Sequence, residues 1–325
     1  MMTPQEEPPS ERIPIVVITG PTASGKSATA LSLAERFDGE IVNADSMQVY
    51  RYMDIGTAKP SLEERSQCPH HLFDVATPDE VYSAGRYAEE ARAIALDIHQ
   101  RGKRVLLTGG TGLYIRAFLH GLVATGAADP DLRAELEGEH QKNVEEGAPH
   151  RLHQRLASLD PKAAAGIHPN DVRRTIRALE IITQAGRSAW SVRQDHGFNA
   201  SPFRSLHLAI DPGREEVTAR IAVRCQQMID GGLLQEVRAL RERGYGADLR
   251  SMQAIGYRHI NPVVDGVDTL KSAAESMISD TRKFARRQRT WLRRVEGVLW
   301  MPPSEKEQIA TKIEDFLADP DVGLA

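Results

Sequence analysis

Residues 20–27 read Gly20-Pro21-Thr22-Ala23-Ser24-Gly25-Lys26-Ser27, the G-x-x-x-x-G-K-S pattern of a phosphate-binding loop. Its flanks decide what it can build. Ile15-Val16-Val17-Ile18 is a β-branched run of the buried parallel-strand type. Residues 28–37 follow with a helical pattern that puts Ala30, Leu31 and Ala34 on one face. Strand, glycine turn and helix N-terminus in this order make an anion site. The backbone N–H groups point inward, and the helix dipole adds partial positive charge. In that frame Lys26 reaches the terminal phosphates and Ser27 offers its hydroxyl to Mg²⁺. A glycine-rich turn with no ligand is the plainer alternative, and the flanking strand and helix argue against it. The loop alone does not say which phosphate is held or what is done with it.

The strand–helix alternation continues to residue 124. A second strand is expected at 40–44, and a third at 71–75. A long helix is expected at 83–101, where Tyr87, Ala91, Ile94, Ala95 and Ile98 recur at helical spacing before the stop signal Gly102. Arg104-Val105-Leu106-Leu107 reads as another buried strand, ending in Gly109-Gly110-Thr111-Gly112 with a helix from about Leu113. This predicts an α/β fold with a doubly wound parallel sheet. Ligands in such sheets sit past the carboxyl ends of strands, so the phosphate loop, Asp45 and Thr111 should converge on one cleft. Between 125 and 205 the strand signal vanishes, and 131–145, 150–158 and 171–185 are helical in pattern. That segment reads as a helical insertion. Leu206-His207-Leu208-Ala209-Ile210 resumes the core, and a helical C-terminal part follows. The expected division is a catalytic core of 13–124 and 206–318, an insertion of 125–205, and a disordered tail of 1–12.

Bulk properties exclude several classes. The net charge of −4 announces no global affinity for polyanions. Two cysteines cannot make a disulfide framework, which fits a reducing compartment. The polar start has no apolar signal-peptide core, and no run reaches the ~20 apolar residues of a membrane span. A cytoplasmic protein with no membrane partner is expected, with a monomer as the default assembly. Cys68-Pro69-His70-His71 lacks a fourth ligand for zinc and reads as a loop entering the strand at 71–75.

Four further features carry chemistry. Asp45 follows the second strand, where it could support a metal, act as a general base or cap a helix. The strand at 105–107 ends in Thr108-Gly109-Gly110-Thr111 without the acid that motors and hydrolases use to hold Mg²⁺, which weakens an ATPase or GTPase reading. Residues 281–294 contain seven basic side chains in fourteen positions and no acid. On a helix, Arg282, Arg286, Arg289 and Arg293 share one face, while Phe284, Trp291, Leu292 and Val295 lie nearer a face that can pack on the core. Charge of one sign repels itself, and a nucleic-acid backbone would relieve that cost. Arg173-Arg174-Thr175-Ile176-Arg177 is a weaker basic cluster, since Glu180 is near enough to pair with an Arg. Arg220 and Arg224 lie one helical turn apart, a spacing that can clamp a phosphate or form a plain surface face.

Taken in order, these residues resemble the bacterial tRNA dimethylallyltransferase (tRNA isopentenyltransferase) family along about 13–300. The resemblance rests on the phosphate loop, Asp45-Ser46-Met47-Gln48-Val49-Tyr50, and Met53-Asp54-Ile55-Gly56-Thr57-Ala58-Lys59-Pro60. It continues through Gly109-Gly110-Thr111-Gly112-Leu113-Tyr114, His168-Pro169-Asn170-Asp171, Ile255-Gly256-Tyr257-Arg258 and the arginine-rich helix. It implies a P-loop NTPase-like core and transfer of a dimethylallyl group from dimethylallyl diphosphate to the exocyclic amine of the adenine 3′ of the anticodon in tRNA, with diphosphate released. The loop Gly20, Pro21, Thr22, Ala23, Ser24, Gly25, Lys26 and Ser27 would then hold the leaving group, with Mg²⁺ near Ser27, and Arg224 and Arg220 would neutralise it. The resemblance also implies that Asp45 acts as general base on the amine and that Thr111 positions it. The target base would have to leave its stack. RNA contact is implied for Asp45, Ser46, Met47, Gln48, Thr111, Arg133, Arg173, Arg174, Thr175, Ile176 and Arg177. It is implied further for Gln253, Ala254, Ile255, Gly256, Tyr257, Arg258, Arg286, Arg287, Gln288, Arg289, Trp291 and Arg293. Gly112 departs from the larger apolar residue that the resemblance leads one to expect.

Three rivals stand beside this reading. A transferase acting on free adenine nucleotides would share the loop, but has no need of the insertion or the arginine-rich helix. A small-molecule P-loop kinase would bind and turn over ATP. A non-catalytic RNA-binding protein could use the loop as a nucleotide switch, and would tolerate loss of Asp45.

Overall fold

The structure, a computed structural model, describes residues 12–122, 129–194 and 201–319. Apart from Arg12, the expected tail lies outside the described residues. Strand β1 (Ile13–Thr19) leads through the phosphate loop into α1 (Lys26–Arg36), and β2 (Gly39–Asn43) follows. Then come α2 (Leu62–Gln67), β3 (His70–His71), α3 (Ala84–Gln100), β4 (Arg104–Thr108) and α4 (Gly112–His120). The insertion carries α5 (Pro130–Glu145), α6 (Arg151–Leu159), α7 (Pro161–Ala165), α8 (Val172–Ala185) and α9 (Ala189–Gln194). The chain closes with β5 (Phe203–Ile210), α10 (Arg214–Asp230), α11 (Leu233–Glu242), α12 (Tyr257–Val264), α13 (Leu270–Leu292), β6 (Leu299–Met301) and α14 (Lys306–Ala318).

The six strands form one parallel sheet in the order β3-β2-β4-β1-β5-β6. Helices cover both faces, which is why β1, β2 and β4 can be apolar on both sides. One face packs Ile15, Val17, Val42, Val105 and Leu107 against α3, α4 and the helices from α10 to α13. The other packs Val16, Ile18, Leu106 and Leu208 against Ala30 and Leu33 of α1 and Ile309 and Phe316 of α14. Leu31 is only partly buried, so the apolar face of α1 is completed by Leu33 instead. From β1 the chain runs outward to β2 and returns at β4, then places β5 on the opposite side of β1. The crevice at that reversal, beyond the strand ends, is where such sheets hold ligands.

Local chemistry sets the helix ends. Ser83 caps α3 by accepting from Arg86 N, and Gly102 at φ 75° stops the chain just beyond it. Thr269 caps α13 through Ser272 N. The strand expected at 71–75 is a correction: β3 is only His70–His71, because Leu72 and Asp74 adopt φ of 63° and 57°. Leu72 turns into the core, and the Asp74 carboxylate gathers Lys59 (2.6 Å) and Arg65 (2.7 Å) in place of a strand neighbour.

The chain divides into two compact units, 1–120 with 201–325, and 121–200. The expected start of the insertion at 125 lies outside the described residues, and its expected end at 205 falls within β5. β5 begins at Phe203, whose buried ring stacks on Phe118 at 4.6 Å, so the strand is longer than the sequence pattern showed. The insertion has its own core, built on Leu136, Leu152, Leu156, Ile176, Leu179 and Ile181. Asp129, Asp160 and Asp171 cap α5, α7 and α8, with Pro130 and Pro161 in the first turns of α5 and α7.

Candidate active site

The phosphate loop ends on Gly25, whose φ of 98° lies where an L side chain is strained. Helix α1 starts there with no side-chain cap and no acidic residue in its first turn. Its first N–H groups are therefore left for an exogenous acceptor, as an anion site requires. Lys26 and Ser27 enter a cavity of about 360 Å³ beside this terminus, together with Thr22 and, from α10, Arg224. Burial and the nearby guanidinium of Arg224 push the Lys26 ammonium down to about 8, against a smaller opposing pull from Asp45. Burial likewise lowers Arg224, with Asp45 and Cys225 in opposition. Two enclosed cations and one carboxylate leave this end of the cavity short of negative charge. Gly20, Pro21 and Ser24 are buried beneath the loop and shape it rather than line the cavity. Arg220 does not line it either: its guanidinium pairs with Glu216 and donates to Ser24 O at 3.4 Å from outside the loop. The clamp expected of Arg220 and Arg224 is thus split, with Arg224 facing in and Arg220 buttressing the loop.

Asp45 sits just past β2, where Asn43 fixes the turn. Asn43 Oδ1 accepts from Asp45 N (2.9 Å), and Asn43 Nδ2 donates to Leu72 O (3.0 Å). Asp45 Oδ1 accepts from Met47 N at 2.9 Å, which orients the carboxylate toward the cavity. Thr111 follows β4 and ties itself to the same segment: its Oγ1 accepts from Ser46 N (3.0 Å), and its N–H donates to Ala44 O (3.1 Å). Asp45, Thr111, Lys26 and Arg224 come from four separate stretches of chain and line one cavity.

Apolar side chains line the same cavity. Ile221, Cys225 and Met228 of α10 and Met277 and Phe284 of α13 line it at helical spacing. None of the five was singled out as a site residue from sequence, and Phe284 was expected to pack on the core. The i, i+4, i+7 pattern was legible, but apolar helical spacing is the ordinary signature of a core face. Gly56 and Thr57 close another side, on a loop whose backbone N–H groups at Asp54, Ile55 and Gly56 all donate to Glu236. Glu236 also accepts from Tyr257 Oη at 2.6 Å. Tyr257 and Gly256 are therefore buried supports, which corrects their expected role in RNA contact; Gln253, Ala254, Ile255 and Arg258 do line the cavity.

Helix α13 also differs from expectation. Arg282, Arg286, Arg287 and Arg293 are exposed and carry no carboxylate partner among the described residues. Arg289 turns away from that face and makes a bidentate pair with Asp211 (2.6 and 2.5 Å), at 13% side-chain exposure. Gln288 is buried and bonded to the phosphate loop. The Trp291 indole fills the place of a side chain at Gly112, where a Cβ would sit 2.3 Å from the ring. Gln288, Arg289 and Trp291 face inward because an amphipathic helix must bury one stripe, and these positions fall on it. The pairing with Trp291 also gives the physical reason for glycine at 112.

In the insertion, the Thr175 and Ile176 side chains are buried, in contrast to the exposure that their expected role in RNA contact calls for. Arg133 and Arg177 both donate to the fully buried Glu180 carboxylate at 2.8 Å, and Asp129 N donates to its other oxygen. Burial alone would raise the Glu180 pKa, but Arg177 and Arg133 hold it below its ordinary value. Arg173 and Arg174 are exposed, with Arg174 paired to Asp171.

The sheet order, the phosphate loop at the end of β1 and the cationic cavity define a protein of the P-loop NTPase-like α/β class. Comparison with known proteins narrows this further. The chain belongs to the IPP transferase family, whose model matches residues 48–295. It is 46% identical over 303 residues to a tRNA dimethylallyltransferase of Desulfatibacillum aliphaticivorans, covering 93% of this chain and 98% of that one. It is 47% identical over 308 residues to that of Geobacter metallireducens, covering 94% and 98%. Among solved structures it resembles the full-length tRNA isopentenylpyrophosphate transferase of Bacillus halodurans, with TM-score 0.70, 38% identity and coverage of 95% and 98%. It also resembles a eukaryotic dimethylallyltransferase acting on tRNA, with TM-score 0.78, 27% identity and coverage of 95% and 80%. No helix among the described residues is long and apolar enough to cross a membrane.

Proposed function

We propose that this chain is a tRNA dimethylallyltransferase. It moves the five-carbon group of dimethylallyl diphosphate to the exocyclic amine of the adenine 3′ of the anticodon and releases diphosphate. The observation that carries this reading is one cavity that brings together two cations, a carboxylate just past the end of β2 and apolar side chains from α10 and α13. Lys26, Arg224 and the uncapped start of α1 suit a diphosphate; Met228, Met277, Cys225 and Phe284 suit a short hydrocarbon. As the C–O bond to diphosphate breaks, negative charge grows on the leaving oxygens, where the two cations are already fixed. The C–N bond forms from an amine whose lone pair is delocalised into adenine. Removal of its proton by Asp45 keeps that nitrogen neutral as the bond closes, and Thr111 orients it.

Mg²⁺ fits the donors present. Ser27 and Thr108 line the cavity, and Thr108 Oγ1 is buried without a hydrogen-bond partner among the described residues. No cluster of three His, Cys, Asp or Glu among the described residues could cage a metal. Mg²⁺, which keeps waters and binds through substrate phosphates, would be held by Ser27 and the diphosphate oxygens. When bound it would neutralise leaving-group charge. Thr108 stands at the end of β4, where a motor or hydrolase carries its acid, which supports diphosphate departure over nucleotide hydrolysis. The exposed arginines of α13, and Arg173 and Arg174 in the insertion, are the surfaces we assign to the RNA backbone.

The test is label transfer from dimethylallyl diphosphate, with Mg²⁺, to unmodified tRNA or to AMP. Label in tRNA alone is expected. Label in AMP would instead make the protein a free-nucleotide transferase, and ATP turnover without transfer would make it a kinase or nucleotide switch.

A further inference from the structure

Gln288 lies in the middle of the most basic helix of the chain, yet only 6% of it is exposed. Its amide is used at both ends. Oε1 accepts from the backbone N–H of Thr22 in the phosphate loop at 2.8 Å, and Nε2 donates to the carbonyl of Gly110 at 3.2 Å. Gly110 is the residue before Thr111, and a Cβ there would stand 2.3 Å from Gln288 Nε2. The next residue on the helix, Arg289, grips Asp211 just past the end of β5. Two adjacent side chains of α13 thus fasten to the segments that follow β1, β4 and β5. The exposed arginines one position or one turn away present the cationic face of the same helix.

We propose that Gln288 is a positioning residue for the transfer reaction. It staples the diphosphate loop to the Thr111 segment and sets both against the arginine-rich helix. This rests on the reading of the cavity as a diphosphate site. The physical argument is one of satisfaction. The phosphate loop works through backbone N–H groups aimed at the anion, and Thr22 N–H is turned instead to Gln288, which fixes the plane of the neighbouring peptides. A buried amide bonded at both ends has one orientation, so the spacing between the loop and Thr111 is held without a covalent link. Loss of the amide frees Thr22 N–H and Gly110 C=O and lets both segments drift from the geometry the diphosphate needs.

The experiment measures binding of inorganic pyrophosphate with Mg²⁺ and, separately, of a tRNA anticodon stem-loop, for wild type, Gln288→Met and Gly110→Ala. Gln288→Met keeps the size and removes both hydrogen bonds. Gly110 has an ordinary backbone conformation, so Gly110→Ala acts only by displacing the amide. Each variant is expected to weaken pyrophosphate about tenfold and leave RNA affinity within about twofold. The double variant should be no worse than the poorer single one, because both changes break the same staple. In turnover the KM for dimethylallyl diphosphate should rise while that for tRNA holds. Weakened RNA binding with pyrophosphate affinity intact would overturn the proposal and make Gln288 an RNA contact. Wild-type pyrophosphate affinity in either folded variant would also overturn it. Pyrophosphate binding needs no transfer, so failure of wild type to prenylate tRNA would refute the proposed function and leave this result standing.

Discussion

The Lys26 ammonium has a pKa of about 8 because it is enclosed beside Arg224. If it must be charged to hold the diphosphate, affinity should fall as pH rises through that value. The protonated fraction is about 0.76 at pH 7.5 and about 0.03 at pH 9.5, from the two-state titration of a single group. Dimethylallyl diphosphate binding, measured without tRNA, should therefore weaken about 25-fold across this interval, or about 2 kcal/mol. The bound anion returns the proton, so calorimetry in buffers of different ionisation enthalpy should show uptake of about 0.8 proton at pH 8.5 and about 0.1 at pH 7. Removing Arg224 as Arg224→Met relieves the repulsion and should move the midpoint upward. For fold stability the sign runs the other way. The lowered pKa means the unfolded chain binds more protons between about 8 and 10.5, so the Lys26 contribution to stability improves as pH rises through that window. Flat affinity from pH 7.5 to 9.5 with no proton uptake would refute the placement of Lys26 on the anion.

Other changes separate the roles of neighbouring groups. Asp45→Asn keeps the Asx turn to Met47 but cannot accept a proton, so single-turnover transfer should slow by about 10² to 10⁴ while stem-loop affinity holds. Glu180→Ala in the insertion leaves Arg133, Arg177 and Asp129 N–H without their shared carboxylate and should cost about 3–5 kcal/mol in chemical denaturation. Gly112→Leu competes with the Trp291 indole and should cost about 1–3 kcal/mol by the same measurement, most of it recovered when Trp291 is also reduced to Leu.

Some of this architecture was legible along the chain and some was not. The phosphate loop could be read because its job needs a local backbone shape, and eight consecutive residues supply it. Asp45 and Thr111 could be placed near it because both follow strand ends in a parallel sheet, which fixes which edge they share. The strand at 71–75 failed because its pattern suited β structure, while Asp74 had nearby cations to satisfy through its side chain. The expected start of the core strand at 206 failed because the first residues of β5, Phe203-Arg204-Ser205, do not alternate or run apolar. Arg204 is buried there, donating to Phe316 O at 2.5 Å, a partner 112 positions away.

The basic helix shows the division most clearly. Sequence determined that α13 is helical, that it is strongly basic and that one stripe of it must be buried. It could not determine which polar residues lie on that stripe, because a buried Gln or Arg is stable only where distant partners complete its hydrogen bonds. Those partners are Thr22 and Gly110 for Gln288, and Asp211 for Arg289. The same holds for the cavity. The sequence supplied a phosphate loop, an acid and an apolar helix face as separate facts. Only the packing of α10 and α13 beside the ends of β1, β2 and β4 turns them into one chamber that holds cations, a carboxylate and hydrocarbon together.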